Sequence, residues 1–439
     1  MRRLCGYWLV RCLSAHGPAH ARQPQMPAQR AHRCLGSRIS KHRRSGPGDR
    51  LARRVATLVG PLAQGYRYRH HGRADVPGLD AARAGNARIH HTPGRWAAEE
   101  TWPSPRITTR KFYLTKDGLE SDAGDETARV LKPLQTVGIT APRWAARGED
   151  IDTEAPTDQR IDDARSLTFD SEPLEADFEI LGQPVVTLDL TVDKPVAAIA
   201  VRLNEVEPDG LSKRITYEVL NLTHRNSHEF PEPLESGKRY RIRMPLHDCA
   251  HVLKTGRRIR VAVSTTYWPA YWPSPEPVTL KVYAGRSELE LPVRPPRPED
   301  KNLKPFGPAF VPEPTSVRTV LKRAPAPTIE NTWDLTTKKF TIRHVRDSGR
   351  SCIDAIGTEL WTTESDVIEI LDHDPTSAKI DAQYSNEMNR GDWKVRVESR
   401  LSMSLTKENF VLVGHIKALE HDVEVFTKIW DRTIPRMLV

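Results

Sequence analysis

Apolar and polar residues alternate most strictly in two seven-residue runs. In Tyr240-Arg241-Ile242-Arg243-Met244-Pro245-Leu246 the apolar side chains share one parity. In Arg258-Ile259-Arg260-Val261-Ala262-Val263-Ser264 the β-branched residues alternate with Arg, Arg and Ala. A period of two over this length predicts half-buried strands. Further strands are predicted over Arg110–Leu114, Leu167–Phe169, Phe178–Leu181, Val185–Val192, Ala197–Leu203 and Arg214–Asn221. Asp117-Gly118, Asp209-Gly210, Gly237, Gly256, Gly285 and the prolines at 231, 233 and 269–277 supply turns between them. Short strands at this spacing predict a sandwich or jelly roll centred on residues 167–298.

A second set of runs follows. Lys338–Val345, Ile368–Leu371, Lys379–Tyr384, Trp393–Leu405, Phe410–Leu419 and Val423–Trp430 predict a smaller antiparallel β unit, with turns at Asn409 and at Glu420-His421-Asp422. Proline-rich pieces around Arg294–Pro298 and Pro305–Pro314 read as a linker between the two units. The expected organisation is a basic segment over 1–92, a β domain over 93–300, a linker over 301–330 and a β extension over 331–439.

Charge changes this picture at one end. Residues 1–92 carry 17 Arg and one Lys against three Asp and no Glu, a net +15. The other 347 residues carry 48 basic and 54 acidic groups, a net −6. The first segment has no Phe and no sustained apolar periodicity, so it is expected to be disordered. A basic arm can bind nucleic acid through phosphates, but no aromatic platform accompanies this one, and a nucleic-acid partner is not expected. A transit peptide would also be Arg-rich and acid-poor, but eight His and many Pro fit that pattern poorly. No run of 18 apolar residues occurs, so no membrane span is expected. Five cysteines (Cys5, Cys12, Cys34, Cys249, Cys352) lack metal or CxxC spacing, which suits a reducing, cytoplasmic setting.

The stretch LNLTHRNSHEFPEPLESGKRYRIRMPL, the strand GRRIRVAVST, the segment YWPAYWPSPEP and the run LELPVRPPRPED resemble the C-terminal non-catalytic domain of X-Pro dipeptidyl-peptidases and the CocE/NonD serine hydrolases. The likeness covers roughly residues 93–439. It implies a mainly β chain: a galactose-binding-like jelly-roll β-sandwich, then a second antiparallel β unit. It also implies a partner, an α/β-hydrolase catalytic domain carrying a Ser-His-Asp triad, either upstream or in trans.

Residues 1–92 acquire another reading beside that family. Taken from the second base of each codon with free wobble bases, Leu58–Ala82 is compatible with WWDHWLKGIDTGIMDEPMFRAWMQ. Such text resembles the end of a CocE/NonD catalytic domain. The segment is therefore read as frame-shifted coding sequence and the whole chain as a fragment without hydrolase activity, its nucleophile expected upstream of Met1.

The triad cannot be assembled from the sequence. Acyl transfer in this family needs a G-x-S-x-G elbow, a His base, an orienting Asp and oxyanion donors. No G-x-S-x-G occurs, and Gly285-Arg286-Ser287-Glu288-Leu289 and Gly349-Arg350-Ser351 are near misses. No catalytic, cofactor-binding or metal-binding residue is assigned. Asp150, Asp152 and Glu154 lack a calcium-loop pattern and read as a solvated loop. His224, His228, His247 and His251 are expected to form structural hydrogen bonds. Asp372, His373 and Asp374 read as a turn. The most distinctive feature is Tyr267, Trp268, Tyr271 and Trp272 framed by prolines. The resemblance implies that these rings pack at a domain interface; stacking on a sugar, as in a stand-alone carbohydrate- or protein-binding module, is the alternative.

Overall fold

A computed structural model describes residues 55–59, 94–132, 134–140, 158–303 and 316–439. Asp150, Asp152, Glu154 and most of residues 1–92 lie outside them. In chain order the strands are β1 (Val55–Val59), β2 (Arg95–Glu99), β3 (Thr108–Leu114), β4 (Leu119–Glu120), β5 (Thr127–Leu131), β6 (Leu167–Asp170), β7 (Phe178–Gly182), β8 (Val185–Val192), β9 (Ala198–Val206), β10 (Ser212–Asn221), β11 (Tyr240–Pro245), β12 (Cys249–Leu253), β13 (Arg258–Ser264), β14 (Leu280–Ala284) and β15 (Ser287–Val293). Then come β16 (Arg318–Lys322), β17 (Thr328–Asp334), β18 (Lys339–Ile353), β19 (Thr358–Leu371), β20 (Asp374–Arg390), β21 (Trp393–Leu405), β22 (Asn409–Glu420) and β23 (Val423–Pro435). The chain is mainly β and its strand ladders are antiparallel.

Two sheets share the principal core. One has four strands in the order β10-β9-β13-β6. The other has nine, along β12-β7-β15-β8-β14-β5, with β11 on β8 and β3 and β4 beside β15. Ile199, Val201, Leu203, Ile259, Val261, Val263, Leu167 and Phe169 of the first sheet meet Val186, Leu188, Leu190, Ile242, Met244, Val282 and Leu289 of the second in one buried cluster. The alternation read from Arg258–Ser264 thus sends Ile259, Val261 and Val263 inward. Burying aliphatic side chains of this size contributes about 1.5–3 kcal/mol each.

The third large sheet is an eight-stranded meander, β16-β18-β19-β20-β21-β22-β23, with β17 also on β18. Two features depart from the sequence reading. Arg318–Lys322, inside the stretch read as linker, and Thr328–Asp334, which runs past its end at residue 330, are strands of this sheet. Nearly all their side chains are exposed, so edge pairing left no apolar period to read. Strands β18 to β20 are also far longer than their apolar runs. Their extra length is half-exposed Thr, Ser, Glu and Asp, held by register rather than by burial. One stretch of the basic segment also differs from a disordered reading: Val55–Val59 pairs antiparallel with Arg95–Glu99.

Candidate functional site

Strand β13 ends at Ser264, and the chain turns at once into the aromatic segment. Tyr267 and Trp268 are fully buried, while Tyr271 and Trp272 are half-buried. The Tyr271 N–H donates to the Tyr267 carbonyl at 2.7 Å, closing a tight turn around the prolines. Trp268 meets Trp272 edge-on, with centroids 5.0 Å apart, and Trp272 meets Phe410 of β22 edge-on at 5.9 Å. Edge-to-face pairs of this kind add about 0.5–1.5 kcal/mol beyond area burial. The Arg436 guanidinium lies 5.0 Å over the Phe410 ring and donates to the Pro273 carbonyl. Burial pulls its pKa down to about 10. Asn221 and Thr223 donate to the Leu438 carbonyl at 2.7 and 2.9 Å. The segment therefore fastens the sandwich to the third sheet.

Its other side carries the loop 134–140. The Trp268 N–H donates to the Val137 carbonyl at 2.7 Å, and Thr266 Oγ1 donates to the Leu134 carbonyl at 2.8 Å. Gly138 has φ +103°, and a Cβ there would stand 2.6 Å from the Trp268 carbonyl oxygen. Only glycine allows this approach. The loop then reaches the third sheet, where the Gln135 N–H donates to the Asp372 carbonyl at 2.9 Å. Asp372 and His373 do form the β19–β20 hairpin turn.

Beneath the loop, the outer face of the four-stranded sheet is polar yet buried. Asp162 and Asp163 sit in the helical turn Arg160–Asp163 and are both buried. Asp162 accepts from the Gly138 N–H at 3.0 Å and from the Thr140 hydroxyl. Asp163 accepts from Ser212 Oγ at 2.6 Å, Asn204 Nδ2 at 3.0 Å and Arg260 at 3.0 Å, with Arg202 at 3.3 Å. Arg260 also grips Asp170 through two 2.6 Å bonds, and Arg202 donates to Ser166 Oγ at 2.7 Å and Gln159 Oε1 at 3.1 Å. A network this dry gives little net stability against an apolar equivalent, but losing one member strands the others. Its visible product is a fixed seat for loop 134–140.

A second ionic group joins the two ends of the sandwich domain. Arg294, fully buried just after β15, bonds Glu99 of β2 at 2.7 Å, Glu179 of β7 at 3.0 Å and Asp300 at 2.8 Å. Arg95 of β2 adds bonds to Asp300 at 2.8 Å and to Glu179. Burial alone would raise the Glu99 pKa, but hydrogen bonds from Ser104 and Arg294, with Arg106 nearby, outweigh it and hold the group below its ordinary value. Asp300 is lowered in the same way, burial being overcome by Arg294, the Ala98 N–H and Arg95. The chain thus enters and leaves the sandwich through one clasp.

The remaining flagged residues are dispersed. His224 and His228 face each other with Nδ1 atoms 3.3 Å apart. Burial and the neighbouring ring push His224 down. His247 lies 3.2 Å from Glu218 and stacks on Tyr217, and His251 lies 3.3 Å from Glu205. Among the described residues no three His, Cys, Asp or Glu side chains converge as metal ligands. Ser287, of the near-miss elbow, donates to the Tyr283 carbonyl at 3.0 Å and accepts from the Asp189 N–H at 3.0 Å. Both bonds serve the sheet. Among the described residues no helix is long and apolar enough to cross a membrane.

Sequence reasoning missed both ionic groups. Arg202 and Asn204 within AIAVRLNEV were the available signal, since polar residues alternating with a core-facing set normally mark a solvated face. Here the segments at 134–140, 158–166 and 265–274 cover that face.

A family profile for the X-Pro dipeptidyl-peptidase C-terminal non-catalytic domain matches residues 72–309. The match begins before Pro93, inside the stretch read as frame-shifted. A Mycobacterium bovis protein named as a serine esterase is 29% identical over 248 residues, covering 50% of this chain and 39% of that protein. The cocaine esterase of Rhodococcus is 24% identical over 194 residues, covering 40% of this chain and 33% of that protein. Among solved structures, an alpha-amino acid ester hydrolase aligns at 23% identity with a TM-score of 0.39, over 45% of this chain and 39% of that one. The chain spans about two fifths or less of the curated relatives it matches. With more than half of its residues inside the profile, the chain belongs to the family of the X-Pro dipeptidyl-peptidase C-terminal non-catalytic domain, a hydrolase-family β domain.

Proposed function

We propose that this chain is the β part of a CocE/NonD-type serine hydrolase, inactive alone, whose role is to dock and orient an α/β-hydrolase catalytic domain. The observation that carries this reading is the family match together with the span of 39% of the esterase relative. The parent activity is hydrolysis of an ester, an amide or an X-Pro peptide. The sandwich is read as a jelly roll over 93–300, followed by a linker that ends before Arg318 and an extension built on the third sheet, in a cytoplasmic protein. Residues 1–92 are read as displaced-frame coding text, which makes the chain a fragment.

The Arg294 clasp supports the docking role. It fixes β2, the strand that follows the basic segment, against the exit of the sandwich, so a preceding domain would be held at a defined angle. The burial of Tyr267 and Trp268 supports packing over sugar stacking, because neither ring offers a free face.

Two experiments test this. Resequencing the gene with several kilobases upstream, read in three frames, is expected to reveal a G-x-S-x-G elbow in the alternate frame and an indel near codons 83–93. An uninterrupted reading frame through residues 1–92 with no hydrolase coding sequence upstream would remove the fragment reading. Co-expression with the α/β domain recovered there is expected to yield a stable complex. A chain that stays alone would remove the docking role.

A further inference from the structure

The two sides of the third sheet end differently. On one side β16 and β17 are short, five and seven residues, and both lie along β18, with a register shift between Val320 and Lys322. Short, interrupted edge strands are a common protection against unwanted pairing. On the other side β23 runs for 13 residues and, among the described residues, pairs with β22 only. It extends about 44 Å at ~3.4 Å per residue. Its only proline is Pro435, its last residue. Val423, Val425, Phe426 and Ile429 are 65%, 60%, 51% and 69% exposed. A long apolar edge with open backbone donors and acceptors is built for strand addition.

We propose that β23 pairs antiparallel with β23 of a second copy, joining two eight-stranded sheets across a twofold axis. Such an axis requires residues of equal parity to face each other. Centred on Thr427, the register sets Val425 opposite Ile429, Phe426 opposite Lys428, Val423 opposite Asp431 and Asp422 opposite Arg432, each pair occurring twice. Val425 and Ile429, 60% and 69% exposed, then cover one another, and no like charges face across the strands. Centring on Lys428 would instead oppose two ammonium groups. Complementarity of the edge with itself is what favours a second copy over an unrelated strand.

The test is light scattering and oxidative cross-linking of the full chain. Wild-type protein is expected to show twice the 49.7 kDa chain mass. Val425→Lys with Ile429→Lys, both on exposed positions, is expected to give the single mass with an unchanged circular-dichroism melt. Residues directly opposite in such a ladder lie about 4.5–5.5 Å apart at Cα, within disulfide reach. Thr427→Cys is therefore expected to yield a peptide linked to its own copy through position 427 on mild oxidation, and Val423→Cys is not. A wild-type monomer at 100 µM would overturn the proposal. So would a dimer that survives the double lysine change, or one in which Thr427→Cys leaves position 427 unlinked.

Discussion

Gly138 lies directly against Trp268: the main-chain N–H of Trp268 donates to the neighbouring Val137 carbonyl at 2.7 Å, and a Cβ on Gly138 would meet the Trp268 carbonyl oxygen at 2.6 Å. Both the left-handed backbone and the backbone contact forbid a side chain there. Gly138→Ala is expected to destabilise by roughly 1–3 kcal/mol, because the atom it would meet is main chain and cannot swing away. Urea unfolding of this variant beside Gly210→Ala checks it. Gly210 also has positive φ but nothing within 4 Å, so its loss should be the smaller of the two.

Arg294 carries the clasp between the two ends of the sandwich. Arg294→Met leaves Glu99, Glu179 and Asp300 without their shared cation and is expected to cost about 3–5 kcal/mol. Arg294→Lys should recover little, since one ammonium cannot reach three carboxylates in the guanidinium's fork geometry. Paired denaturation curves of the two variants at pH 7 measure both effects.

The same group sets the acid limit. Glu99 and Asp300 have folded-state pKa values below their ordinary ones. Depressed carboxylates contribute stability that is complete above the unfolded value of ~4 and is lost as pH falls through the folded value. Stability should therefore hold between about pH 8 and 5.5 and drop below about pH 4. In Arg294→Met, Glu99 keeps only Ser104 and Arg106, and Asp300 only Arg95 and the Ala98 N–H, so both carboxylates lose part of what holds them ionised and the penalty of that variant should shrink on acidification from pH 7 to 4. A penalty that stays constant across this range would show that the carboxylates do not act through Arg294.

The joint between the sandwich and the third sheet rests on aromatic contact. Trp272 and Phe410 meet edge-on at 5.9 Å. A double-mutant cycle of Trp272→Leu and Phe410→Leu is expected to return a coupling of about 0.5–1.5 kcal/mol. Zero coupling would mean that Trp272 serves only its own turn with Trp268.

Sequence pattern revealed the sandwich strands because their alternation has an energetic cause. Ile259, Val261 and Val263 must face one core, and the register follows from that. In the third sheet the runs holding buried Phe340, Ile342, Ile368 and Ile370 were legible, and so were the apolar-rich runs of β21, β22 and β23, though most of their residues are exposed or half-buried. Thr358–Val367 is held by pairing on both sides and carries almost no apolar alternation, so its strand was invisible. The aromatic segment stood out by composition, but its partner Phe410 lies 138 residues further along the chain and no local rule links them. Asp162 and Asp163 carry no local signal in the sequence. Their meaning depends on Arg202 and Arg260 arriving from strands that only the folded sheet brings near.

We propose that this chain supplies a scaffold and no hydrolytic chemistry. The most direct test is to assay the purified full chain with p-nitrophenyl acetate and with an X-Pro p-nitroanilide. The account predicts rates equal to buffer for both substrates, and no labelling by a serine-directed fluorophosphonate. Turnover that is proportional to protein concentration and abolished by the fluorophosphonate would contradict it.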